Sequence, residues 1–170
     1  MEITFMIHAP TKKMVKTYLG YGFFLLLSYS AGIFGAQFEP GYWYEQIQKP
    51  VWTPPDAVFP VVWPILYTLM GIAAGMVWKR HGWQNAKVGL LLFGLQLVLN
   101  AAWSWLFFGL HLTGTAALEL LMLWITVLVT MTAFYRKAPA AGWLMAPYLG
   151  WLAYAFALNA AIWLLNRSPV

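Results

Sequence analysis

Long runs of apolar residues, separated by shorter polar or aromatic connections, dominate the hydrophobic pattern of this chain. A hydrocarbon core of about 30 Å needs about 20 helical residues to cross it, and five runs reach that length. They predict membrane-spanning helices at residues 18–36, 58–78, 88–108, 116–135 and 143–165. Because the runs are continuously apolar and do not alternate over short segments, they are not barrel strands. The pattern therefore predicts an all-α integral membrane protein, a five-transmembrane-helix bundle that forms a single domain over residues 1–170.

The first run has an alternative interpretation, because three lysines precede it as they would in a signal peptide. The apolar region of a signal peptide is shorter, about 7–15 residues, so we interpret the run as a retained span. With five spans, the N-terminus and the connections after spans two and four share one side of the membrane. That side carries most of the basic residues: Lys12, Lys13, Lys16, Lys79, Arg80, Lys87, Arg136 and Lys137. Only Lys49 and Arg167 lie opposite, which predicts a cytoplasmic N-terminus and an outer C-terminus.

The connection between the first two spans, residues 37–57, is long and rich in aromatic residues and proline. A long connection in a compact domain is commonly a lid or a binding loop, and its aromatic content argues against disorder. At its end, Thr53 is a candidate helix N-cap, and Asp56 completes a spacing like that of a capping box. Pro60 and Pro64 then fall inside the second span, either as tolerated residues near its end or as a functional kink.

Composition agrees with a membrane protein, since 62% of the residues are hydrophobic and 9% are charged. An ordinary soluble enzyme, a disordered chain and a nucleic-acid-binding domain are therefore excluded. The chain has no cysteine, which excludes disulfides, thiolate metal sites and cysteine nucleophiles. His8, His81 and His111 lie in separate predicted connections, so no metal site is expected. The 11 tryptophans exceed what an interfacial belt obviously requires.

Aromatic and amide side chains recur at helical spacing in three of the predicted spans. Such spacing places them on one face of each helix, and amides facing lipid would lack hydrogen-bond partners. These faces should therefore point into the bundle, where they serve either as interhelical glue or as walls of a small-molecule pocket. The residues are Trp63 and Tyr67 in span two, Gln96, Asn100, Trp103 and Phe107 in span three, and Tyr148, Trp151, Ala155 and Asn159 in span five.

Two further features leave structural and functional interpretations open. Glu119 is the only carboxylate within a predicted span, which suggests a functional site, although it also lies near the start of span four, where the helix dipole favours it. Gly71 and Gly75 form a G-x-x-x-G motif that serves either internal packing or dimerisation. The same choice applies to a ridge of small residues in span five, Ala153, Ala157 and Ala161.

The order of these motifs resembles a known membrane protein family. The segment Trp43-Tyr44-Glu45, followed by Lys49-Pro50-Val51-Trp52-Thr53-Pro54-Pro55, is similar to the W-Y-x(5)-K-P-x-W-x-P-P signature of the translocator proteins, also called tryptophan-rich sensory proteins or peripheral-type benzodiazepine receptors. The similarity continues through Val62-Trp63, Tyr67, Asn100-x-x-Trp103, Pro147-Tyr148-x-x-Trp151 and Leu158-Asn159. It covers about residues 43–166, with five spans in the same order.

The resemblance implies a five-helix bundle, usually a homodimer, that binds tetrapyrroles such as protoporphyrin and haem below its long first connection. No cofactor is expected. Animal members carry a sterol-recognition pattern that needs a tyrosine shortly before a basic residue. Here Trp163 precedes Arg167, which favours a bacterial-type member in a cytoplasmic membrane. The implied ligand-binding residues are Tyr44, Trp63, Asn100, Trp103, Trp151 and Ala155, with Gln96 and Tyr148 beside them.

Four functions follow as expectations. The first is a membrane receptor or regulator that binds porphyrin-type tetrapyrroles and related hydrophobic ligands, with no nucleic-acid partner. The second is a light- and oxygen-dependent porphyrin-degrading enzyme, in which Trp63 and Trp151 would be the oxidisable groups, since no acid–base pair supports dark catalysis. The third is a tetrapyrrole or small-molecule transporter, although the spans show no internal repeat. The fourth, a purely structural membrane protein, would need neither the aromatic connection nor the matched inward faces.

Overall fold

The computed structural model describes residues 11–38 and 40–167, so that the predicted loop containing His8 lies outside the described residues. Every regular element within them is helical. In chain order these are α1 (Lys12–Gly35), the short α2 (Tyr42–Gln46), a 3-10 turn (Asp56–Val58), α3 (Phe59–Ser104), a π-helical turn (Trp105–Gly109), α4 (Thr113–Lys137) and α5 (Pro139–Asn166). Four stretches of the described chain are long and apolar enough to cross a membrane: Met14–Gly35, Asp56–Gly109, Thr113–Lys137 and Pro139–Asn166.

The longest helix, α3, reverses direction at Gly82. A straight α3 of 46 residues would extend about 69 Å at about 1.5 Å per residue, more than twice the thickness of a hydrocarbon core. Gly82 interrupts it with φ 66° and ψ 179°, a conformation that is essentially confined to glycine. The residues on either side then meet, since Tyr67 contacts Asn100 and Met70 contacts Gln96. The two halves of α3, residues 59–81 and 83–104, therefore lie antiparallel.

The predicted boundaries differ from the observed ones where local signals were ambiguous. Spans two and three are joined by helical backbone through residues 79–87, apart from Gly82, where the sequence predicts a polar loop. The polar residues of this stretch remain helical because helical backbone that extends beyond the apolar spans into water tolerates polar side chains. The predicted cap is wrong: the Thr53 hydroxyl donates to the Pro50 carbonyl at 2.7 Å instead. Helix α3 begins only at Phe59, without a side-chain cap.

The G-x-x-x-G motif serves internal packing. A Cβ on Gly71 would lie 2.9 Å from the Leu25 Cα atom in α1, and a Cβ on Gly75 would overlap the ring of Tyr21. Both glycines therefore allow α1 and α3 to approach closely. In α5, Ala153 and Ala157 lie on the exposed surface, so this part of the small-residue ridge makes no comparable internal contact.

Buried apolar residues form two clusters that meet beside one tryptophan. The larger cluster fills the space between α1, α3, α4 and α5 and includes Phe93, Leu123 and Tyr148. The smaller one lies below α2 and includes Tyr44 and Phe107. Trp103 packs against both clusters. The connection between α1 and α3 is thus joined to the bundle core by continuous aromatic packing.

Candidate functional site

A chain of hydrogen bonds links three helical segments at the centre of the bundle. The Tyr67 hydroxyl donates to Asn100 Oδ1 at 2.7 Å, and Asn100 Nδ2 donates to the Tyr148 hydroxyl at 3.0 Å. All three residues are buried, and Tyr148 is completely inaccessible. A buried amide must find partners because leaving it unpaired costs about 1–3 kcal/mol. In this conformation both groups of the Asn100 amide are satisfied by tyrosines of neighbouring helical segments.

Trp63 and Trp151 cover this polar chain with an aromatic wall. The Trp63 ring stacks on Tyr67, with centroids 5.4 Å apart and planes 23° apart. It meets Trp151 edge to face at 6.4 Å. Trp151 in turn contacts Phe59 and Tyr154, at 5.9 Å and 5.8 Å. The first half of α3 and α5 thus present several aromatic faces beside a central amide, an arrangement suited to flat apolar ligands.

Trp103 is fixed in orientation by a second amide. Its indole nitrogen donates to Asn159 Oδ1 at 3.0 Å, and Asn159 Nδ2 donates to the Thr113 carbonyl at 2.8 Å. The ring of Trp103 stacks on Phe107 with centroids 5.3 Å apart. These contacts join the ends of α3, α4 and α5. Asn159 therefore positions an aromatic side chain that the sequence places at the site.

The connection between α1 and α3 forms a lid, which we define as residues 40–58. Tyr44 of α2 is 7% exposed and meets the rings of Phe107 and Phe108 edge to face, at 6.2 Å and 5.5 Å. The Lys49 ammonium lies 4.1 Å from the centroid of the Tyr44 ring, a cation–π geometry. Burial, followed by the nearby charges of Asp56 and Tyr154, raises the pKa of the Tyr44 hydroxyl above its usual 10.0.

Three hydrogen bonds hold the lid to α5. The Asn166 side chain accepts a hydrogen bond from the Gln48 backbone N–H at 2.9 Å and donates to the Gln48 carbonyl at 2.8 Å. Further along the lid, the Tyr154 hydroxyl donates to the Trp52 carbonyl at 2.9 Å. Trp43 adds a stacked contact with His111, their centroids 4.1 Å apart. In this conformation the lid is closed over the aromatic side chains of Trp103, Phe107 and Phe108, which we call the aromatic cluster together with Tyr44 and the wall of Trp63 and Trp151.

An apolar groove of about 530 Å³ opens beside Trp151. It runs between the first half of α3 and α5, and its other walls are Pro54, Val62, Ile65, Leu66, Pro147, Gly150 and Tyr154. Its volume falls within the range of about 300–1,000 Å³ that is typical of small-molecule sites. The groove reaches the lid at Pro54, so that the lid, the aromatic wall and the outer surface of the bundle adjoin one another.

Four buried polar atoms on three side chains have no hydrogen-bond partner among the described residues. They are Gln96 Oε1, both carboxylate oxygens of Glu119 and Trp124 Nε1. The other end of the Gln96 amide donates weakly to the Met70 sulfur at 3.7 Å. Such groups are rare in a folded interior because each one lost a hydrogen bond with water. They mark where a water molecule or a polar ligand group would be stabilised within α3 and α4.

The predicted site residues occupy three neighbouring places. Trp63, Tyr148, Trp151 and Ala155 belong to or pack on the larger cluster, around Asn100. Tyr44 lies in the smaller cluster, and Trp103 packs on both. Gln96 lies one turn further from the lid and is completely buried. The predicted residues that the structure brings together most directly are Asn100 with Tyr148 and Trp63 with Trp151.

Sequence reasoning missed several residues that organise the site. Asn166 binds the lid across 118 residues, and no local spacing predicts such a contact. Lys49 lies within the lid, five residues after the Tyr44 ring that it covers. Tyr154 was detectable, since it lies three residues after Trp151 on the same helix. No three His, Asp or Glu side chains come together as a metal site anywhere in residues 11–38 and 40–167.

These features define a class: a multi-pass, all-helical integral membrane protein with an aromatic cluster beneath a docked lid. The chain belongs to the TspO/MBR family, whose model matches residues 23–164. Among its relatives, protein CrtK of Rhodobacter capsulatus is 40% identical over 138 residues, covering 80% of this chain and 86% of that protein. The tryptophan-rich protein TspO of Chlorobaculum tepidum is 39% identical over 147 residues, with coverages of 82% and 91%. The human translocator protein is 41% identical over 148 residues, with coverages of 84% and 88%.

Proposed function

We propose that this protein is a membrane receptor or regulator that binds porphyrin-type tetrapyrroles in a pocket beneath the lid. The observation that carries the proposal is the aromatic wall of Trp63 and Trp151 beside the Asn100 amide. The ring centroids of the two tryptophans lie 6.4 Å apart. A flat macrocycle buries much apolar surface when it lies against indole rings. Family relatives bear the names translocator protein and tryptophan-rich sensory protein, which agree with ligand handling at a membrane.

Binding would require the polar chain to exchange partners. Asn100 now bonds to Tyr67 and Tyr148, so a ligand carboxylate or pyrrole nitrogen would replace one tyrosine as its partner. An exchange of this kind keeps the amide satisfied, and a ligand carboxylate that also accepts a hydrogen bond from the displaced tyrosine hydroxyl would keep the net cost small. The groove beside Trp151 provides a route by which an apolar ligand reaches the wall from the lipid side. The lid would then move only as far as the macrocycle demands.

The proposal includes a membrane topology. The two halves of α3 would each cross the bilayer, which gives a five-span bundle with α1, α4 and α5. The basic residues at the ends nearest Gly82 and the α4–α5 connection favour a cytoplasmic location for that side, with the lid outside. We further propose a bacterial cytoplasmic membrane and a homodimer, the assembly that the family resemblance implies; the mass of the protein in detergent measures the latter.

The decisive experiment compares two tryptophan variants of the purified protein. Trp151→Ala removes one face of the wall and should weaken protoporphyrin binding about tenfold, equivalent to about 1.4 kcal/mol. The matched control is Trp143→Ala, since Trp143 lies in the same helix but is 63% exposed and far from the lid. Quenching of the remaining tryptophan fluorescence by protoporphyrin measures both. If the two variants bind as tightly as the wild type, the pocket assignment fails.

An enzymatic role is a second candidate, favoured by the same contact. Trp63 and Trp151 are both oxidisable and adjacent. A photosensitising porphyrin bound against them would, in light, be oxidised by molecular oxygen, so that the porphyrin and the oxygen are consumed together. Illumination of the protein with protoporphyrin in air, followed by absorption spectroscopy, tests this role. A product band that disappears in Trp63→Phe and Trp151→Phe but persists in Trp143→Phe supports an enzyme. Equal porphyrin loss without protein argues for binding alone.

A further inference from the structure

A second apolar groove, of about 590 Å³, lies at the end of the bundle opposite the lid. It runs between the beginning of α1 and the reversal of α3. Its walls are Val15, Lys16, Leu19, Gly20, Phe23, Phe24, Trp78 and Trp83. None of these residues belongs to the aromatic cluster beneath the lid. The groove is therefore separate from the pocket proposed beneath the lid.

The floor of this groove depends on a close approach between two residues. A Cβ on Gly20 would overlap the ring of Trp78, so only glycine allows the indole to approach α1 this closely. Phe24, one turn further along α1, also contacts that indole, with centroids 6.3 Å apart. Leu19 and Phe23 are 69% and 59% exposed, and they form the rim. The result is an elongated apolar surface that faces outward, towards lipid.

Charge at this end of the molecule has a single sign among the described residues. Lys16 lines the groove, and Lys79 and Arg80 follow Trp78 directly. The described acidic residues lie elsewhere: Glu45 and Asp56 in the lid, and Glu119 in the lid-proximal part of α4. Lys16 therefore has no carboxylate partner in the described part of the chain, and an anion would be attracted to the mouth of the groove.

We propose that this groove binds an anionic phospholipid, with one acyl chain along Phe23 and Trp78 and the headgroup phosphate at Lys16. Basic sites between membrane helices at the positively charged side are suited to acidic headgroups. Trp83, which is 48% exposed, directly follows the reversal at Gly82, at the end of the bundle where an indole would favour the headgroup boundary. Zwitterionic phosphatidylcholine places its own cation beside the phosphate, so it competes less well for Lys16.

Phosphatidylglycerol with brominated acyl chains tests this site in phosphatidylcholine vesicles that contain the full-length protein. Bromine quenches indole fluorescence on contact, so occupancy quenches Trp78 and Trp83. At increasing mole fractions of the brominated lipid, a saturable quenching component is expected that brominated phosphatidylcholine does not produce. This component should weaken as salt rises, because the ion pair is exposed, and it should shrink in Trp83→Phe. Equal titrations with the two brominated lipids would overturn the proposal.

Two pairs of variants locate the site. Lys16→Gln should raise the half-saturating fraction of phosphatidylglycerol about fivefold, whereas Lys87→Gln, an exposed lysine outside the groove, should leave it unchanged. For the acyl chain, Phe23→Ala should weaken the saturable component, and Leu26→Ala, a 74% exposed residue of the same helix, should not. If Lys16→Gln titrates like Lys87→Gln, anionic lipid is attracted only by net charge and the proposal is wrong.

Discussion

Tyr67 and Asn100 lie opposite each other across the hairpin of α3, and the tyrosine hydroxyl donates to the amide oxygen at 2.7 Å. This hydrogen bond joins the two halves of α3 on either side of the reversal at Gly82. It also begins the polar chain that continues to Tyr148 in α5. One buried amide thus links the folding of α3 to the position of the aromatic wall, and several expected outcomes follow from these contacts.

Asn100→Leu should destabilise the protein by about 1–3 kcal/mol, because it leaves the buried hydroxyls of Tyr67 and Tyr148 without their partner. Tyr67→Phe alone should cost less, since it removes one hydroxyl and leaves Tyr148 bonded. The double variant should cost less than the sum of the two, because neighbours in one network are not additive. Thermal unfolding in detergent measures all three variants. Strict additivity would show that the hydrogen bond contributes nothing to stability.

Gly82→Ala should destabilise the protein by about 1–3 kcal/mol, since its φ of 66° and ψ of 179° suit glycine alone. A Cβ there would meet no atom within 4 Å, so the effect would come from the backbone. Gly94→Ala is the matched control: it lies in the same helix with equally open space, and should be neutral or stabilising. Denaturation of both in the same detergent gives the comparison. If the two variants were equally stable, the backbone conformation at Gly82 would not require glycine.

Asn166→Ala should loosen the lid without unfolding the bundle, because it removes both hydrogen bonds to the Gln48 backbone. A loss of about 1 kcal/mol is expected, which increases the open population about fivefold. Hydrogen exchange of lid amides, residues 40–58, should therefore accelerate by that factor while exchange in α4 stays unchanged. Asn85→Ala, an exposed amide at the opposite end, is the control. Uniform acceleration throughout the chain would indicate general destabilisation instead.

Lid docking should weaken at alkaline pH. The pKa of the Tyr44 hydroxyl is raised by burial, so the docked lid favours the neutral phenol. The stabilisation is fully present below the usual value of 10.0 and is lost as pH rises through the higher value of the docked state. Exchange of lid amides, corrected for the intrinsic pH effect, measures this loss above pH 10.

Lys49 lies over the Tyr44 ring, so its contribution to docking must be separated from that of the phenol. Tyr44→Phe should abolish the phenol contribution but keep the cation–π contact. Lys49→Gln should lower docking at neutral pH and leave the alkaline loss in place. If Tyr44→Phe retains the full alkaline loss, the phenol is not responsible for it.

The helical class and the family were predictable from sequence because they depend on local signals. Runs of about 20 apolar residues define membrane helices, and the motifs around Trp43, Trp63 and Trp151 carry the family resemblance. The boundary between spans two and three was less predictable, since the polar residues around Gly82 are compatible with a loop or with helix. Whether Asn100 acts as glue or as a ligand contact also stayed open, because spacing alone identifies a face and not its partner.

The sequence by itself determined that the chain is an all-helical membrane protein. The apolar composition of each run reflects the lipid that surrounds it, and the spacing of residues along one helix sets which of them share a face. The sequence also determined that Asn100, Trp103 and Trp151 face inward. Only the tertiary structure decided which groups these side chains meet: Asn100 bonds to Tyr67 and Tyr148, and Asn166 holds Gln48. The physical reason is that such pairings join residues far apart in the chain, and burial, rather than local spacing, makes each one necessary.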